Sequence, residues 1–178
     1  LLSFILLGGK CRNCGKKISL RYPVIELGTA VIFVLLFKLG IIYFAPLALI
    51  LISIFVIDLE HQIIPDSLIF TGIAIVFLFP IYNSLYTNLL AGFLASAFLL
   101  ILHLVTRGKG MGLGDVKLAI LGGMMVGLNN VFSWLALAFL TGAVVGCILI
   151  LAQKAGLKSK IAFGPFLVLA LLYEILFQ

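Results

Sequence analysis

Apolar stretches approaching twenty residues follow one another along this chain, separated by short segments that hold most of its charge. A soluble core cannot absorb that pattern, but a bilayer can. About 20 apolar residues in a helix match a hydrocarbon layer of about 30 Å, and a helix satisfies its own backbone N–H and C=O groups inside it. The runs read as helices at 24–39, 41–57, 67–81, 89–105, 116–126, 131–152 and 161–177, an all-α, polytopic membrane bundle of about seven spans. Pro46 is expected to interrupt the second span. The fifth is short enough to be tilted or partly re-entrant. A β-barrel would need alternating polarity, whereas these runs are continuous. Mean hydropathy is +1.35, far above that of soluble domains. Residues 1–7 are apolar but lack the basic leader and cleavage site of a signal peptide, and the chain opens without Met, so upstream sequence is expected.

The sparse charge is arranged by side. Lys10, Arg12, Lys16, Lys17 and Arg21 precede the first span, Arg107, Lys109 and Lys117 surround the fourth-to-fifth connection, and Lys154, Lys158 and Lys160 precede the last. With alternating helices all of these fall on one face, and only Lys38 falls opposite. Positive loops stay inside, so that face is expected to be cytoplasmic. The net charge of +6 then reports topology and anionic lipid rather than nucleic acid.

Among only six carboxylate side chains, Asp58 follows directly on the second apolar run and Asp115 ends the tetrad Gly112-Leu113-Gly114-Asp115. An acid at or within a bilayer is costly, about 2.5–3.5 kcal/mol at a helix centre on insertion scales, and marks a functional candidate. Asp58 continues a helix, where the macrodipole opposes a negative charge. Asp115 opens one, where an anion is tolerated. In the alternating topology both reach the cytoplasmic face. Two aspartates that approach each other cannot both ionise, so one can take a proton from water while the other donates to a scissile carbonyl. The glycines beside Asp115 lack the company of a phosphate loop. Their backbone is expected to open for strand-like pairing with an extended peptide. The bland alternatives are a polar cap at the membrane boundary and a glycine-rich packing loop. A different class of function is a small transporter or channel using the two aspartates as an ion relay, which ion flux without cleavage would identify.

The remaining polar groups carry less. Asp66 after Pro65 reads as an N-cap of the next helix. Glu60 and His61 are expected to face water at the mouth of the site, His103 to be a satisfied core histidine, Cys147 to be a packing residue, and Lys109 and Lys117 to meet lipid head groups. Cys11-Arg12-Asn13-Cys14-Gly15 has the form of half a zinc knuckle, with a redox pair as the rival reading.

These motifs stand in a familiar order. Leu2-Ser3, Gly9–Gly15, Ile18–Pro23 and Glu26-Leu27, then Asp58-Leu59-Glu60-His61 with Ile64-Pro65-Asp66, then Gly112–Leu118, then Phe163-Gly164-Pro165-Phe166 together resemble the type IV prepilin peptidases, Gly-x-Gly-Asp membrane aspartic proteases. The resemblance covers nearly the whole chain. It implies an aspartic endopeptidase of the bacterial inner membrane that removes basic leaders from prepilins or pseudopilins, after glycine, near the cytoplasmic face. The catalytic residues carried over are Asp58 and Asp115. Gly112 and Gly114 are expected to support the substrate, and Glu26, Glu60 and Asp66 to meet leader lysines. Proteolysis needs no cofactor. Many members also N-methylate the new terminus with S-adenosylmethionine. The family's N-terminal helix and first cysteine pair have no counterpart here, so structural zinc at Cys11 and Cys14, and methylation, are expected of a longer protein. The implied organisation is a cytoplasmic segment at 1–22 and a transmembrane peptidase domain at 23–178.

Overall fold

The computed structural model describes residue 4 and residues 7–78, 85–108, 110–152 and 162–177. Among these the chain is all-α. Seven α-helices form: α1 Arg21–Lys38, α2 Ala45–His61, α3 Asp66–Leu78, α4 Leu85–Val105, α5 Leu113–Val126, α6 Val131–Leu151 and α7 Gly164–Phe177, with a short 3₁₀ turn at Ile42–Phe44. The helices follow the seven apolar runs in order. Leu2, Ser3, the end of the third run at 79–81, Lys109, Lys154, Lys158, Lys160 and the first residue of the seventh run lie outside the described residues. Three helical segments, Ile42–His61, Tyr86–Val105 and Val131–Leu151, are long and apolar enough to cross a bilayer. The other helices are 18 residues or shorter, so length does not establish seven complete crossings.

Pro46 does not break a span as the sequence led one to expect. It stands in the first turn of α2, where its missing N–H has no intrahelical partner to lose. Pro165 takes the same place in α7, which therefore starts at Gly164.

The chain divides into two compact units, Leu1–Leu49 and Ile50–Gln178. The first carries the cysteine turn and α1. An isolated antiparallel bridge pairs Lys10 with Lys17 and closes that turn.

In the second unit α5 is the central helix. From Leu118 to Val126 every residue except Ile120 is buried, against α3, α4, α6 and α7. Small residues make the approach close. Gly72 of α3 receives Leu121, Gly122 receives the Trp134 ring from α6, and Gly123 lies on the backbone of α4. Such small-residue contacts substitute for the hydrophobic drive that a membrane interior lacks. Trp134 is wholly buried and its indole N–H donates to the Leu167 carbonyl at 3.0 Å, joining α6 to α7. Outward faces stay apolar, with Phe70, Phe93, Phe132 and Leu140 exposed, as suits contact with lipid. A methyl group at Gly123 would lie 2.6 Å from the Ala91 carbonyl oxygen and 2.7 Å from the Gly92 Cα. Backbone cannot step aside as a side chain can, so Gly123→Ala is expected to destabilise the unit by about 3 kcal/mol. An unchanged melting temperature in detergent would refute this packing.

Candidate active site

Helix α2 runs on through Asp58 to His61, so this carboxylate sits in its last turn, as the sequence implied. Gln62 then adopts a left-handed conformation, φ 54°, and its N–H donates to the Asp58 carbonyl at 2.9 Å. This ends the helix and turns the chain into 63–65, where Ile64 points inward and is buried. The Asp58 side chain is only 4% exposed, and its Oδ2 has no hydrogen-bond partner among the described residues. Gly164, the first residue of α7, lies directly over it. A Cβ there would be 2.5 Å from Oδ2. The Gly164 N–H faces the carboxyl without closing a hydrogen bond on Oδ2. A buried oxygen with no donor at the negative end of a helix costs stability twice over, and such a cost is retained where chemistry needs it.

Asp115 is the third residue of α5 and is 7% exposed. Gly112, extended at φ −80° and ψ 155°, stands at the N-cap, and its N–H donates to Asp115 Oδ2 at 3.0 Å. This is the carboxylate half of a capping box, which also places the anion at the positive end of the helix.

Ile64 packs between the segments beside the two acids. Its Cβ is 3.1 Å from where a Cβ on Gly114 would be, and its Cδ1 is 3.1 Å from the same position on Gly164. Gly114 and Gly164 let one isoleucine side chain nest between the start of α5, which bears Asp115, and the start of α7, which covers Asp58. Asp58 and Asp115 interact electrostatically across this contact.

The neighbours depart from the sequence reading in three places. Asp66 is the first residue of α3 rather than its cap, and Lys117 donates to both its carboxylate oxygens at 2.7 and 2.8 Å. Lys117 therefore ties α5 to α3, instead of only reaching for head groups. The backbone around Asp115 is also not an open edge: Gly112 gives its N–H to Asp115, and from Leu113 onward the chain is helical, with Gly114 in the first turn. Glu60 and His61 are exposed at the end of α2, whereas Glu26 lies on α1 in the first unit. Sequence reasoning missed Ile64 and Gly164 as site residues. Their signal was the place of each in a motif, Ile64-Pro65-Asp66 and Phe163-Gly164-Pro165-Phe166. His103, read as a satisfied histidine, has its partner: the ring holds the Met111 carbonyl just ahead of Gly112.

In the first unit, Cys11 and Cys14 occupy one tight turn. The Cys11 N–H donates to the Lys16 carbonyl at 2.9 Å, and Gly15 at φ 66° donates to the Cys11 carbonyl at 3.0 Å. The Cys14 backbone N–H, then that of Asn13 and the Cys14 side chain, lower the Cys11 thiol below its ordinary value. N–H groups aimed at a thiolate fit half of a tetrahedral zinc site. Among the described residues no group of three or more His, Cys, Asp or Glu could hold a metal, so the remaining ligands would come from elsewhere. Alkylation of Cys11, followed by peptide-resolved mass spectrometry, is expected to reach half its limiting rate below the pH of about 8.5 usual for a free thiol. A midpoint at or above that value would contradict the hydrogen-bonded turn.

Known proteins share both regions. The profile of the type IV leader peptidase family matches residues 44–147, which include both aspartates, and the profile of the bacterial peptidase A24 N-terminal domain matches residues 1–39. A prepilin leader peptidase/N-methyltransferase of Stutzerimonas stutzeri is 34% identical over 96% of this chain and 63% of its own length. Proteins of the same name from Legionella pneumophila and Bacillus subtilis (strain 168) are 33% and 30% identical, over 94% and 97% of the chain and 62% and 74% of their own lengths. The chain thus spans less than two thirds of the first of these relatives. No solved structure matches it. With one profile lying over the whole aspartate pair and similarity continuing through nearly every other residue, the chain belongs to the type IV leader peptidase family.

Proposed function

We propose that this membrane protein is an aspartic endopeptidase that removes the basic leader of a type IV prepilin or pseudopilin, after a glycine, at the cytoplasmic face of the bacterial inner membrane. The observation that carries this is the burial of two aspartates, Asp58 and Asp115, beside segments that Ile64 bridges, with one Asp58 oxygen left without a donor among the described residues. The name of the relatives agrees with it. In the reaction the ionised carboxylate accepts a proton from water as that water attacks the scissile carbonyl carbon. The protonated carboxyl donates to the carbonyl oxygen, giving a tetrahedral diol. Return of a proton to the amide nitrogen breaks the C–N bond and releases the new N-terminus.

The substrate would enter with its basic leader in the cytoplasm and its apolar helix in the bilayer. Glu26, Glu60 and Asp66 are proposed to meet leader lysines. Charge reversal at all three with unchanged cleavage kinetics would dismiss them. Cys11 and Cys14 would hold a structural zinc together with two thiolates from outside the described residues. The relatives' name includes N-methyltransferase, for which S-adenosylmethionine would supply the methyl group, and no described residue is assigned to it.

The test is mass spectrometry of a prepilin-like peptide incubated with the protein in lipid. A single cut after the leader glycine is the expected result. An intact peptide, with protein shown to be folded, would overturn the proposal.

A further inference from the structure

We infer that His103 positions Asp115 through the peptide bond between Met111 and Gly112, which deepens the proposal above and rests on Asp115 being one of the two acting carboxylates. His103 stands in the last turn of α4, and its Nδ1 is 2.7 Å from the Met111 carbonyl oxygen. A carbonyl oxygen can only accept, so Nδ1 carries the proton. The N–H at the other side of that same peptide group belongs to Gly112, and it donates to Asp115 Oδ2 at 3.0 Å. Imidazole, peptide and carboxylate thus form one line of two hydrogen bonds.

Two consequences follow from elementary chemistry. A donor on the carbonyl polarises the amide and strengthens its N–H as a donor. The peptide is planar, so fixing the direction of its C=O also fixes the direction of its N–H. That second effect matters in this segment because Gly108, Gly110, Gly112 and Gly114 occupy alternate positions and give the backbone unusual freedom. The loop is folded around the ring that restrains it. The Gly108 N–H donates to the His103 carbonyl at 2.9 Å, Gly108 has φ +71°, and a Cβ on it would lie 3.2 Å from His103 Cε1. The Met111 side chain is buried beneath. His103 is therefore a positioning residue: it acts on Asp115 through a peptide group.

Met111-Gly112 is the only Met-Gly junction in the chain. Labelling Met at the carbonyl carbon and Gly at the amide nitrogen isolates this one peptide by NMR in the intact protein in lipid. In His103→Leu the Met111 carbonyl and Gly112 amide proton resonances are expected to move upfield. The kcat for prepilin peptide is expected to fall about three- to tenfold with KM unchanged. In His103→Asn, whose amide nitrogen can stand where Nδ1 stood, both resonances and kcat are expected to return toward wild type. Resonances unmoved in His103→Leu, or an Asn variant no better than Leu, would overturn the inference. If wild-type protein cleaves nothing, the peptidase reading falls, and the two resonances still decide whether His103 governs this peptide.

Discussion

Asp58→Asn and Asp115→Asn are each expected to lower prepilin cleavage by at least about a thousandfold while leaving the protein folded. Neither substitution changes side-chain shape. Asn at position 115 keeps an oxygen to accept the Gly112 N–H, so the start of α5 should hold. At position 58 the native oxygen is buried with no donor, and a neutral amide removes the cost of burying charge there. The melting temperature of Asp58→Asn is thus expected to equal or exceed that of wild type, the pattern of a site whose chemistry is held against stability. In the proposed mechanism the pair shares one proton, so wild-type cleavage should follow a bell-shaped curve. It should fail at low pH when both carboxyls are protonated, and at high pH when both are ionised. The measurements are single-turnover cleavage across pH and thermal unfolding of the same samples. An Asn variant that cleaves at near wild-type rate would remove that aspartate from the mechanism.

Gly164→Ala is expected to cost about a hundredfold in kcat with little loss of stability, because a shift of about 1 Å in a reacting group is enough for that. The added methyl would lie 2.5 Å from Asp58 Oδ2, 3.1 Å from its Cγ and 3.1 Å from Ile64 Cδ1. These neighbours are side-chain ends, which can move, unlike the backbone that faces Gly123. The helices therefore stay packed and the carboxyl is pushed away from its partner. Gly142→Ala is the control. The nearest atoms to its new methyl are those of Phe163 and Phe166 at 3.4 Å, and near wild-type activity is expected. Equal loss in both variants would mean that α7 is merely sensitive to disturbance.

The order of the helices could be read from the chain because apolar runs of this length have little else to become. Their ends were harder to read, since Pro46 starts a helix here, whereas the sequence reading gave it a break. Asp58 and Asp115 stood out because acids are rare and costly in such a chain. Their surroundings did not stand out, because each contact joins distant segments. Gly164 reaches Asp58 from the last helix, and Lys117 reaches Asp66 across 51 residues. Many glycines of this chain are equivalent in a sequence, yet only the packed structure tells that Gly123 meets backbone and Gly164 meets a carboxyl. His103 is the clearest case. Its apolar flanks identify a buried residue, and nothing in them tells which carbonyl it will hold.

With 14 residues, α5 is about 21 Å long, well short of a hydrocarbon layer of about 30 Å. An isolated helix of that length would drag the bilayer thin around it. Here α3, α4, α6 and α7 pack around it, so the buried stretch from Leu118 to Val126 meets protein and not acyl chains. The depth of Asp115 is thereby gauged by the protein's own interior, and lipid composition has little purchase on it.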